Sequence, residues 1–91
     1  MRRDRIDESR EKMLKAFYFA LGSYMEQEAK KADTWRDLGY GELYAHLKHE
    51  LEEIKRSMTA NNLTYMIHNC VDAVLLSNML LARAMEENNL L

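Results

Sequence analysis

Three acidic residues have the types and placement to do chemistry in this chain. Glu50 and Glu53 stand three residues apart in a charged stretch, while Asp72 stands alone in the oily stretch Val71–Met85, VDAVLLSNMLLARAM. An ionised carboxylate in such surroundings loses much of its hydration and must be compensated by a cation or a donor. A divalent cation shared by Glu50, Glu53 and Asp72 is the economical answer. Oxygen donors of this kind suit Mg²⁺ or Mn²⁺, whereas Zn²⁺ prefers His and Cys. Asn69 precedes Asp72 by one turn, faces the same way, and makes with it a second polar pair matching the first. Two plainer readings stand beside this one. Glu50 and Glu53 can be a solvated helix face in a charge-rich stretch. Asp72 can be a buried acid answered by a neighbouring Arg, Lys or Tyr hydroxyl.

Other reactive residues suggest less. His46, His49 and His68 do not recur with Cys at zinc spacing, and they read as surface or boundary histidines. His46 lies four residues before Glu50, within reach of a supporting hydrogen bond. Cys70 falls on an apolar face as a small core residue. No glycine turn presents a nucleophilic Ser or Cys, and no glycine loop cradles phosphate. Trp35 followed by Arg36 is more suggestive. The indole needs a surface to cover, and the guanidinium beside it can pair with phosphate. A tryptophan plugging the end of a helical bundle is the alternative.

These residues must be positioned by helices. The chain has 91 residues, 47% of them hydrophobic, with no proline and three glycines. Met, Leu, Ala, Glu and Lys favour helix, and an all-α fold in a single domain over residues 1–91 follows. Apolar periodicity places a first helix over about Asp7–Lys31, a second over Glu42–Met58 and a third over Leu63–Glu87. The connector Asp33–Gly41 (DTWRDLGYG) has no clear period and reads as an ordered loop or a short helical turn. Asn61 or Asn62 can cap the third helix.

On the second helix Leu43, Leu47, Leu51, Ile54 and Met58 form one stripe. At ~100° per residue, Glu50 lies ~60° and Glu53 ~120° from its centre, close enough to lean into a groove between helices. The third helix has more oily faces than two partner helices can cover. A bundle of three main helices per chain, completed by self-association, is therefore expected.

Thirteen basic against 15 acidic residues give a formal charge of −2, without the basic excess of a general nucleic-acid binder. A single cysteine excludes an intrachain disulfide and suggests a reducing compartment. Uncharged runs fall short of the ~20 residues of a membrane span, so neither a membrane nor a nucleic-acid partner is expected, and a cytoplasmic location is.

With these residues in place, the chain resembles the all-α nucleoside triphosphate pyrophosphohydrolases of the MazG-like superfamily. Their hallmark is Glu-x-x-Glu on one helix and Glu-x-x-Asp on the next. Glu50-Leu51-Glu52-Glu53 matches the first half, and Asn69-Cys70-Val71-Asp72 matches the second with Asn in place of Glu. The stretch from Lys31 to Arg83 is similar to a small phage-type branch that includes dATP/dGTP pyrophosphohydrolases, with a Lys, a Trp-Arg pair and a HLKxEL-like helix before the acidic motif.

The resemblance implies a four-helix-bundle type of assembly, a homodimer or homotetramer, acting on a nucleoside triphosphate. It implies hydrolysis between the α- and β-phosphates, yielding a monophosphate and pyrophosphate, in nucleotide-pool control. Mg²⁺ (or Mn²⁺) would be held by Glu50, Glu53 and Asp72, with Asn69 offering an amide oxygen but no charge. Trp35 would stack on the base or wall its pocket, and Arg36, Lys31, Lys55 and Arg83 are the candidates to balance phosphate charge. Two other classes remain open: a non-enzymatic helical interaction module, and a nucleotide sensor with a degenerate site.

Overall fold

The computed structural model describes the backbone of residues 2–31 and 33–91 and the side chains of residues 3–27 and 33–91. Among the described residues every regular element is helical. The order is α1 (Arg2–Lys31), one turn of 3-10 helix (Thr34–Asp37), α2 (Tyr40–Thr59) and α3 (Leu63–Glu87). Helix α1 begins five residues before its apolar periodicity does. Its first turns are charged, and Glu8–Lys12 and Glu11–Lys15 pair at 2.9 and 3.0 Å across i,i+4 spacings, which support a helix without burying anything. Helix α2 also begins earlier than its stripe, at Tyr40. The Glu42 carboxylate reaches back to accept the Gly39 N–H at 3.2 Å, satisfying one of the orphan donors of a helix start.

The two asparagines between α2 and α3 divide the work. Asn61 takes a left-handed φ of 51°. Around it the Asn62 N–H reaches the Ser57 carbonyl at 2.9 Å and the Asn61 N–H reaches Met58 at 3.1 Å, the paired bonds that close a helix C-terminus. The Asn62 side chain then accepts the Tyr65 N–H at 3.0 Å and opens α3. So tight a reversal makes α2 and α3 antiparallel neighbours. Cross-links at both ends agree: Ser57 with Asn69 near the turn, and Tyr40 with Arg83 far from it.

Helices α2 and α3 form the principal pair, and α1 rests on α3 over a shorter stretch. The fully sequestered interior is thin. Ala20, Leu43, Ala73 and Leu75 are its apolar part, and Ser57 and Asn69 its polar part. The seam of α2 is rotated away from the leucine stripe: Leu43 and Ser57 are buried and Glu50, Glu53 and Ile54 half-buried, whereas Leu51 and Met58 are exposed. Residues 43, 50 and 57 are two turns apart in succession and share one face, so the acidic residues lie on the packed seam itself. Part of the apolar stripe is left facing outward.

Candidate functional site

Glu50 on α2 and Asp72 on α3 line one cavity of about 550 Å³, within the size range of small-molecule sites. Its walls come from every element. Helix α1 contributes Gln27, the 3-10 turn contributes Thr34 and Trp35, α2 adds Leu43 and His46, and α3 adds Leu75 and Met79. Trp35 thus walls the cavity, and its indole N–H donates to the Tyr24 hydroxyl of α1 at 3.2 Å. That contact joins the first helix to the connector that walls the acid pair.

The electrostatics are those of two acids sharing a partly desolvated space. Burial comes first in pushing the Glu50 carboxyl above its ordinary range, and the facing Asp72 carboxylate comes second. Glu53 adds to the shift, while His49 and His46 oppose it. Among the described residues no Arg or Lys pairs with Glu50 or Asp72. A protein cation as the answer to Asp72, one of the plainer readings, is therefore not found there. The two facing carboxylates are an oxygen donor set, and the repulsion between them is what a divalent cation relieves.

Glu53 is turned differently. Its Oε1 accepts from Arg56 at 2.9 Å, with Arg56 largely in solvent. As the side chains lie, no three acidic, His or Cys groups among the described residues come together closely enough to hold an ion. A third carboxylate joins Glu50 and Asp72 only if Glu53 exchanges Arg56 for the ion. Asn69 has a different task as well. It is buried, and its amide donates to the Ser57 hydroxyl at 2.9 Å, while that hydroxyl donates to the Glu53 carbonyl at 2.8 Å. The amide pins α3 to α2 and does not line the cavity.

Among the described residues, the candidate phosphate-binding cations Arg36, Lys55 and Arg83 do not line the cavity. Arg36 is exposed and pairs with Glu86 at 3.5 Å. Arg83 donates to the Leu38 carbonyl and sits 4.8 Å over the Tyr40 ring. Lys55 is exposed on the outer side of α2. The Lys31 side chain lies outside the described residues. Arg36 and Arg83 nonetheless hold the connector whose Trp35 and Leu38 form the cavity wall, so their geometry is that of supports.

Gln27 carries no motif in the sequence, and Tyr24 reads there only as one of the periodic apolar positions of the first helix. Both are half-buried on α1, and no local pattern marks Gln27 there. Comparison with family models, with curated proteins and with solved structures gives no match to this chain.

Proposed function

We propose that the cavity between α2 and α3 is the active site of a Mg²⁺-dependent nucleoside triphosphate pyrophosphohydrolase, working as an assembly of two or four helical subunits in the manner of the MazG-like enzymes. The observation that carries this reading is the placement of Glu50 and Asp72 on facing helices, in one cavity, with their mutual repulsion uncompensated by a described protein cation. The Glu-x-x-Glu and Asn-x-x-Asp spacings supply the family resemblance.

In this reading Glu50 and Asp72 hold the metal, and Glu53 joins them on leaving Arg56. Bound there, Mg²⁺ supplies charge neutralisation for the triphosphate and a lowered pKa for water. Water oxygen bonds to the α-phosphorus, the bond from that phosphorus to the bridging oxygen breaks, and pyrophosphate leaves with the electron pair. The proton that the water releases passes to solvent, because Glu50 and Asp72, as ligands of the ion, are not free to accept it. Trp35 walls the pocket and offers a face to the base. Arg36 and Arg83 fix the connector that carries it.

The test is to incubate the protein with each dNTP and Mg²⁺ and to separate the products. Monophosphate and pyrophosphate in equal amounts are expected, with turnover lost in Glu50→Gln and Asp72→Asn. Absence of monophosphate from every nucleotide ends the enzymatic reading.

A second reading has its own observation. Asn69 adds no charge to the site and is engaged with Ser57, and Glu53 is engaged with Arg56, so the cavity as it stands offers two carboxylates. Nucleotide binding without turnover, measured by calorimetry, favours a sensor. No saturable metal or nucleotide binding favours an interaction module.

A further inference from the structure

The Glu50–Asp72 cavity has two ends of different chemistry. From Glu50 back to Leu43 along α2, and from Asp72 on to Met79 along α3, is two turns of helix, about 10 Å. The helices are antiparallel, so both runs lead the same way, from the acids to an end walled by Trp35, Leu38, Leu43 and Met79. Among the described residues no charged side chain lines that end. A triphosphate held through an ion at Glu50 and Asp72 therefore leaves its sugar and base to run toward the apolar end, where an aromatic ring meets Trp35.

Apolar walls hold a ring but do not identify it; that takes a few placed polar groups. Gln27, Thr34 and His46 are the neutral hydrogen-bonding candidates among the described lining residues. His46 stands one turn from Glu50, toward the acid end, and Thr34 is exposed. Gln27 is half-buried. It follows Tyr24 by three residues on one face of α1, and the Tyr24 hydroxyl accepts from the Trp35 indole, so Gln27 stands beside the ring that would take the base. Among the described residues its amide makes one bond, to the Ser23 hydroxyl at 3.5 Å. That is long for a hydrogen bond and leaves the amide's donors and acceptor largely unspent.

We propose that Gln27 reads the base and selects an adenine nucleotide. A primary amide presents a donor and an acceptor side by side. Adenine presents the complementary pair on both edges, its N6 amino group with N1 and with N7, and a bidentate glutamine is the natural partner of the latter. Guanine shows two acceptors, O6 and N7, on the corresponding edge, and a pyrimidine has no such edge. The inference deepens the nucleotide-site reading on which it rests, and it needs no turnover.

Calorimetry of the full chain in Mg²⁺ with the α,β-methylene analogues of the four dNTPs tests it, since these bind without being cleaved. A fifth analogue carries purine without the 6-amino group. The adenine analogue should bind tightest, and loss of its amino group should weaken binding on the order of tenfold to a hundredfold. Gln27→Leu should bring the adenine analogue down to the level of the purine one, leaving the purine one and Mn²⁺ affinity unchanged. If that variant fails to fold, Gln27→Glu keeps the length and removes the donor, and should weaken the adenine analogue selectively. Binding of no analogue overturns the nucleotide-site reading and this inference with it. Equal binding of all four, preference for another base, or an adenine preference that survives substitution of Gln27 overturns this inference alone.

Discussion

The amide of Asn69 on α3 donates to the hydroxyl of Ser57 on α2 at 2.9 Å, both residues almost wholly buried. This bond fixes the register of the two helices near their turn. One turn along α3 stands Asp72 and two turns back along α2 stands Glu50, so the register that Asn69 sets brings the acid pair face to face.

Replacing Asn69 by Ala is expected to cost about 1–3 kcal/mol, the usual penalty for a lost buried hydrogen bond and its unmet partner. Urea denaturation measures it. Mn²⁺ affinity in the folded variant should change little, because the amide does not line the cavity. A tenfold or larger loss of Mn²⁺ affinity with stability retained would place the amide on the ion.

Glu50 gives a pH dependence with a definite sign. Its folded pKa is raised by burial and by Asp72, so the folded state holds the Glu50 proton more tightly than the unfolded chain does. The resulting stabilisation is fully present below the unfolded pKa and is lost as pH rises through the folded pKa. Between mildly acidic and neutral pH the protein should therefore lose stability through this group. Glu50→Gln removes the titration, flattens that part of the profile and raises stability at neutral pH. Denaturant titrations of both proteins at acidic and neutral pH compare the slopes, and equal slopes would remove Glu50 as their source.

Much of this arrangement was legible in the sequence, and the missing parts share a cause. Helix α3 has the bounds its periodicity predicts, Leu63–Glu87, because Asn61 and Asn62 carry the stop and start signals locally. Glu50 and Asp72 line one cavity because a short turn forces antiparallel packing of the helices that carry them. The rotation of the α2 seam was not legible. Periodicity locates a leucine stripe but does not say which partner covers it, and here α3 takes the side bearing Glu50 and Ser57. The contributions of Gln27 and Tyr24 depend on how α1 crosses α3, and the engagements of Arg36 with Glu86 and Arg83 with Leu38 join residues 50 and 45 positions apart. Such partners are set by tertiary packing and leave no local pattern.

Metal binding offers a stability readout independent of turnover. An ion that binds the folded chain alone stabilises it by about 2.7 kcal/mol at a hundred times its Kd. Mg²⁺ or Mn²⁺ should accordingly raise the Tm of the wild type, and more at neutral than at acidic pH, where protons compete for Glu50. Asp72→Asn should abolish the rise, while Arg56→Ala, which releases Glu53 from its 2.9 Å partner, should enlarge it. Differential scanning calorimetry with and without the ion reads both effects. A rise that persists in Asp72→Asn would locate the ion elsewhere.

Arg83 is the support on which the cavity wall depends. It is half-buried, donates to the Leu38 carbonyl and lies 4.8 Å from the Tyr40 ring centroid, so one side chain ties the end of α3 to the connector and to the start of α2. A hydrogen bond from a charged donor contributes about 1.5–3 kcal/mol, and the ring contact about 0.5–1 kcal/mol at an exposed site. Arg83→Ala should cost on the order of 2–4 kcal/mol by these two terms together. Arg83→Lys should recover part of that, because an ammonium can reach the carbonyl but does not stack as a guanidinium does. The effect should extend to Trp35, three residues before Leu38. Freed from a fixed connector, the indole loses its 3.2 Å bond to Tyr24, and its emission shifts to the red. Tyr24→Phe separates the two supports. It removes the acceptor for the indole N–H, costs about 0.5–1.5 kcal/mol, and leaves Arg83 in place, so its emission change should be smaller than that of Arg83→Ala. If Arg83→Ala alters stability and leaves Trp35 emission untouched, the connector is held by other contacts and Arg83 is a local fastening of α3 to α2.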